Sequence, residues 1–132
     1  MHSWVGPPEW NGKVVAVELL GTFIPMLDSS VSSIPAPLML QIEGCKDFFL
    51  PVFSTEEKLH EVIKQIHPGV PYEVITVDEN LDSKLMTILE KIKPPTGRMR
   101  LMYDPEIINN HHTRWKEVIK EGDQWKYSAH LN

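Results

Sequence analysis

FFLPVFSTEEKL, residues 48–59, turns from strand to helix at one definable point. Phe48, Phe49, Leu50, Val52 and Phe53 are strand formers that suit a pleated, half-buried surface. Ser54 and Glu57 stand at capping-box spacing, in which each side chain bonds the other's free backbone N–H at a helix start. Beyond them Leu59, Val62, Ile63 and Ile66 fall at i, i+3, i+4 and i+7, one apolar helical face. Pro68-Gly69 ends that helix. Burying four such side chains is worth roughly 6–12 kcal/mol gross, most of it offset by chain entropy.

Upstream, Pro37 to Ile42 reads as a strand, joined through Glu43-Gly44-Cys45-Lys46-Asp47 to Phe48 in a hairpin. Asp28 to Pro37 is Ser- and Pro-rich, a loop. Thr22 to Leu27 is β-like. FIPML (residues 23–27) and FLPVF (residues 49–53) share an apolar frame around a central proline. Proline cannot donate to a ladder, so each strand needs a place where the missing N–H does no harm. Val14 to Leu20 is strand or helix, since periodicity alone does not decide a short apolar run. Residues 1–12, with Trp4, Pro7, Pro8 and Trp10, read as an irregular arm.

Downstream, Tyr72 to Val77 reads as a strand. A second helix follows, capped by Asp82 and presenting Leu85, Ile88, Leu89 and Ile92, until Pro94, Pro95 and Gly97 stop it. Arg98 to Tyr103 alternates basic with apolar, a strand with a wet face. Asp104-Pro105-Glu106 has a cap, a proline at the first helical position and an early acid. It predicts a helix toward Glu121 aligning Ile108, Trp115, Val118 and Ile119. Asn109, Asn110 and Thr113 weaken that helix near His111, and residues 123–132 read as a tail, with Gln124 to Asn132 a short strand or a docked arm. The expected fold is α/β (α+β): a mixed sheet of about five strands, two to three helices, and one helical layer on one face.

The 132 residues suit a single domain, 1–132. The chain is 42% hydrophobic and 23% charged, which argues against disorder. Its net charge of −5 disfavours nucleic acid and anionic lipid. The most basic run, Lys84, Lys91, Lys93, Arg98 and Arg100, is diluted by Glu79, Asp82, Glu90 and Asp104, and reads as a solvated helix face. Cys45 is the lone cysteine, so neither an internal disulfide nor a thiol zinc cluster is expected. The N-terminus lacks a signal-peptide pattern, and Val14 to Leu27 is too interrupted to span a bilayer. A cytoplasmic protein is expected.

LPVFSTEEKL, Leu50 to Leu59, resembles the N-terminal domain of SseB-like proteins. That family has a strand of the form apolar-Pro-Val-Phe-Thr/Ser leading to an acidic helix start, Ser/Thr-x-Glu-Glu-x-Leu. Thr22 to Leu27 is similar to the family's upstream strand with an internal proline. RMRLMYDPE, Arg98 to Glu106, is similar to its basic-apolar strand ending in Asn-Pro, with Asp104 in place of the asparagine. The resemblance spans Thr22 to about Glu106 and implies a single-domain member. It implies no catalytic residue set.

Neither a Gly-x-Ser-x-Gly elbow nor a phosphate loop occurs in the sequence. Cys45 has no histidine close in sequence. Glu56 and Glu57 are accounted for by capping and the helix dipole. The reading is therefore a non-catalytic protein–protein interaction or homo-oligomerising module without a cofactor, its partner a protein or a second copy. Trp and Tyr are enriched at interfaces, so Trp4, Trp10, Trp125 and Tyr127 are the candidate partner-binding residues. The alternative is a metal-dependent enzyme or ligand binder using His111, His112 and Asp104. Residues three or four positions from either histidine include no usual ligand, so that site needs distant partners.

Overall fold

The structure is a computed structural model and describes residues 14–28, 30, 36–41, 46–109 and 112–130. The elements in chain order are β1 (Val14–Val17), β2 (Phe23–Leu27), β3 (Leu40–Gln41), β4 (Phe48–Val52), α1 (Glu56–Ile66), β5 (Tyr72–Thr76), α2 (Glu79–Lys91), β6 (Met99–Asn109), β7 (His112–Glu121) and β8 (Gln124–His130). Six strands form one sheet in the order β1-β8-β7-β6-β4-β3, while β2 and β5 form a second sheet. Only β4 and β6 pair in parallel within the larger sheet, and α1, β5 and α2 fill the connection between them. The fold is α+β, as its strand and helix patterns predict, with six strands in the mixed sheet against about five expected.

The helix expected from Pro105 toward Glu121 is not formed. Its residues complete β6 and build β7, antiparallel down to Asn109 opposite His112. Trp115, Val118, Ile119 and Thr113 are β-branched or aromatic and favour strands, and long pairing on both sides of β7 satisfies the backbone. The apparent helix start is a bulge instead. The register steps from Tyr103↔Lys116 to Glu106↔Arg114, leaving Asp104 and Pro105 opposite Trp115 alone. Asp104 takes a φ of 46°, in the left-handed region, where Asn and Asp are the best-tolerated residues after glycine. Of the two expectations for the C-terminal tail, the strand is formed: Gln124–His130 is an inner strand between β1 and β7. The open segment at Val14 resolves as strand.

Each helix starts where its local chemistry allows, with a shift from expectation. Thr55, not Ser54, caps α1 by accepting from Lys58 N. Asp78, not Asp82, caps α2 by accepting from Leu81 N. Both displaced residues are used elsewhere, as described below.

The two helices lie on opposite faces of the sheet rather than in one layer. Leu59, Val62 and Ile63 of α1 pack with Leu40, Phe49, Met102 and Trp115. Leu85 of α2 packs with Leu50, Val52, Leu101, Val118 and Trp125. Leu101 and Met102 are neighbours in β6, and successive strand side chains point to opposite faces. A strand buried on both faces gives no clean alternation, so the run Phe48 to Phe53 hides this arrangement.

The twin prolines mark the seam between the sheets. Phe23 and Phe53 exchange backbone hydrogen bonds of 2.8 and 2.9 Å in an isolated antiparallel bridge. Continuing that register would bring Pro25 opposite Pro51. Neither has an N–H, so the ladder stops after one pair and β2 takes β5 as its partner. Pro25 still accepts from Leu38 N at 3.0 Å.

Candidate functional site

Of the residues expected to meet a partner, Trp4 and Trp10 lie outside the described residues. Trp125 packs in the core of its own domain. It is 5% exposed, and its Nε1 donates to Asp82 Oδ1 at 2.8 Å, tying β8 to α2. Tyr127 is half-buried and stacks on Tyr103, with ring centroids 6.1 Å apart and planes at 13°. Lys116 Nζ lies 5.2 Å from the Tyr127 centroid and 5.6 Å from that of Tyr103. Burial first, and then the Asp104 carboxylate, push the Tyr103 phenol above its ordinary 10.0, while Ser54 and Lys58 pull it back.

His111 and Cys45 lie outside the described residues. His112 begins β7, three residues along the strand from Trp115, which faces the Asp104 bulge; that is roughly 10 Å of strand. The Asp104 carboxylate is already engaged. Its Oδ1 accepts from Ser54 N at 2.8 Å, and its Oδ2 from Ser54 Oγ at 2.8 Å and Lys58 Nζ at 3.2 Å. Asp104 thus clasps the bulge of β6 to the start of α1. Among the described residues no group of three or more His, Cys, Asp or Glu is placed to hold a metal ion.

The candidate site is a groove where the C-terminal half of α2 stands over the start of β6 and the end of β7. Its volume is about 680 Å³. Met86, Leu89, Ile92, Met99, Leu101 and Val118 supply apolar lining, and Lys93, Arg98 and Lys120 supply cations. Lys93 and Arg98 are exposed. Lys120 Nζ sits 5.2 Å from the centroid of the Trp125 ring, a cation–π contact that holds it over the indole. Met86 and Leu20 are the exposed large hydrophobics among the described residues.

A buried ion cluster supports the groove's end. Arg100 donates to Glu117 through Nε at 2.7 Å and Nη2 at 2.5 Å, and to Asp47 through Nη1 at 3.2 Å. Its guanidinium also lies 5.2 Å from the centroid of Phe49. Asp47 Oδ1 accepts from Arg98 N at 3.0 Å, while Arg98 Nε stands 3.8 Å from Asp47 Oδ2. Gly97 lets these chains meet: a Cβ there would lie 2.5 Å from both Asp47 Oδ1 and the Lys46 carbonyl. The basic run seen in the sequence is therefore divided. Arg100 is an internal ion-pair residue, whereas Lys93 and Arg98 line the groove. Lys120 belongs to a segment that reads as a helix in the sequence; its position on β7 brings it to the same rim.

No family model, curated protein or solved structure matches this chain.

Proposed function

We propose that this chain is a non-catalytic protein–protein interaction module, with the groove between α2 and the β6–β7 hairpin as its contact surface. One observation carries the reading: a large concavity combines an apolar lining, including exposed Met86, with cations at its rim. Cations beside apolar area are recognition chemistry, and flexible, polarizable methionine suits adaptable binding surfaces. The partner is a protein or a second copy, neither nucleic acid nor membrane, and the setting is cytoplasmic, in keeping with one cysteine and an overall charge of −5. No helix of the described residues is long and apolar enough to cross a membrane.

The same reading places the chain among SseB-like domains. Three segments that resemble the family, Thr22 to Leu27, Leu50 to Leu59 and Arg98 to Glu106, supply the neighbouring elements β2, β4 with α1, and β6. Their proximity supports the resemblance.

Amide chemical-shift mapping with a small neutral apolar probe, N-acetyl-leucine methylamide, tests the surface. Shifts should cluster at Met86, Leu89, Ile92, Met99 and Val118. Clustering at the Asp104 clasp instead, or uniform small shifts, would reject the groove. Light scattering across a dilution series tests the second copy as partner: a monomer at every concentration removes the homodimer.

A further inference from the structure

We infer that the segment seated in the groove is at once apolar and acidic, and belongs to a partner protein. The inference rests on the groove being the contact surface and adds the chemistry of its occupant. Met86, Leu89 and Ile92 present apolar area from α2, while Lys93 and Lys120 stand around it and Arg98 shares Asp47 with Arg100. Glu90 is the one acid of the lining not held in the buried ion cluster, since Glu117 accepts two bonds from Arg100. The rim is therefore net positive on a chain of net charge −5. Attraction at this place cannot come from the molecule's overall field.

The two halves of the site exclude simpler occupants. A bare polyanion gains from the cations, but nothing from the apolar floor, and it meets repulsion from the rest of the chain. A purely apolar ligand leaves the rim without a counterpart. A lipid surface does not fit a concave groove. A peptide carrying Leu or Met beside Glu or Asp satisfies both, with carboxylates taken by the ammonium groups of Lys93 and Lys120. Lys120 stands over Trp125, so the cation is positioned before the partner arrives, which reduces the ordering cost of binding.

The test uses the full chain and three labelled peptides of equal length: an amphipathic Leu/Glu peptide, its Leu/Lys twin, and a Glu/Ser peptide without apolar residues. Fluorescence anisotropy should show the Leu/Glu peptide binding about tenfold or more tighter than either control, a difference of about 1.4 kcal/mol. The preference should shrink as salt rises. Lys93→Glu and Lys120→Glu should each weaken the Leu/Glu peptide, and Lys93→Gln and Lys120→Gln should do so by less. Equal binding of the Leu/Glu and Leu/Lys peptides overturns the inference, as does full binding by the Glu/Ser peptide or by duplex DNA. If N-acetyl-leucine methylamide still maps to the groove while the peptides show no charge preference, the contact surface stands and its proposed occupant falls. If the probe maps elsewhere, the contact surface itself fails.

Discussion

Asp104 combines an unfavourable backbone with three accepted hydrogen bonds, and the second explains why the first is kept. A left-handed φ of 46° costs an L-residue about 1–2 kcal/mol, and its carboxylate recovers this through Ser54 and Lys58. Asp104→Asn keeps a residue that tolerates this φ and an acceptor for Ser54, so it should cost about half as much as Asp104→Ala, for which roughly 2–3 kcal/mol is expected. Urea unfolding of both variants checks the order. Gly97 is a second such point. Gly97→Ala combines a φ of 65° with 2.5 Å clashes against Asp47 and the Lys46 carbonyl, and should cost roughly 2–4 kcal/mol. Gly122 has a similar φ of 61° and nothing within 4 Å, so Gly122→Ala should cost only about 1 kcal/mol. Equal losses at the two glycines would mean that the clash contributes nothing. Tyr103 sets a pH dependence. Its phenol is raised above 10.0 in the folded chain, so the unfolded chain releases that proton first. This contribution is whole below the unfolded value and is lost as pH rises through the raised one. Tyr103→Phe should make the alkaline fall in stability shallower, read from denaturation midpoints at successive pH values above 10.0.

At the scale of elements, the two helices are held differently. Leu59, Val62 and Ile63 of α1 are all buried, whereas in α2 only Leu85 is. The remaining apolar residues of α2 reach the groove or an apolar cavity of about 100 Å³ lined by Leu81, Leu85 and Ile88 with residues of β2 and β5. Opening of α2 should therefore need less free energy than opening of α1, and hydrogen exchange under native conditions should show α2 amides exchanging first. Asp82 matters more than a surface acid, because it accepts from Trp125 Nε1. Asp82→Ala should cost about 1–2 kcal/mol and speed exchange in α2 selectively. The helix pattern of α1 is legible in the sequence because one face is buried and the other is wet. That of β6 and β7 is not, because Asp-Pro-Glu has the chemistry of both a helix start and a bulge.

Across the whole molecule, Arg100 joins β6 to β7 and to Asp47 at the entrance of β4. Arg100→Met would leave two carboxylates buried without that cation and should cost roughly 3–5 kcal/mol, measured as a fall in the urea midpoint. Composition and local pattern determined the α+β class, the apolar face of α1, the strands around Pro25 and Pro51, and the hairpin into Phe48. These follow from interactions within a few residues, where capping, periodicity and the missing proline N–H act directly. Only the tertiary structure decided that the helices take opposite faces, that Asp104 turns a bulge, and that Phe23 and Phe53 form an isolated bridge at the seam between two sheets. The groove was equally invisible, because Lys120 comes from a segment distant from Lys93 and Arg98, and Arg100 is drawn inward by Glu117. Such outcomes depend on which distant strand pairs with which, and pairing is settled by burial and backbone satisfaction over the whole sheet rather than by any one stretch.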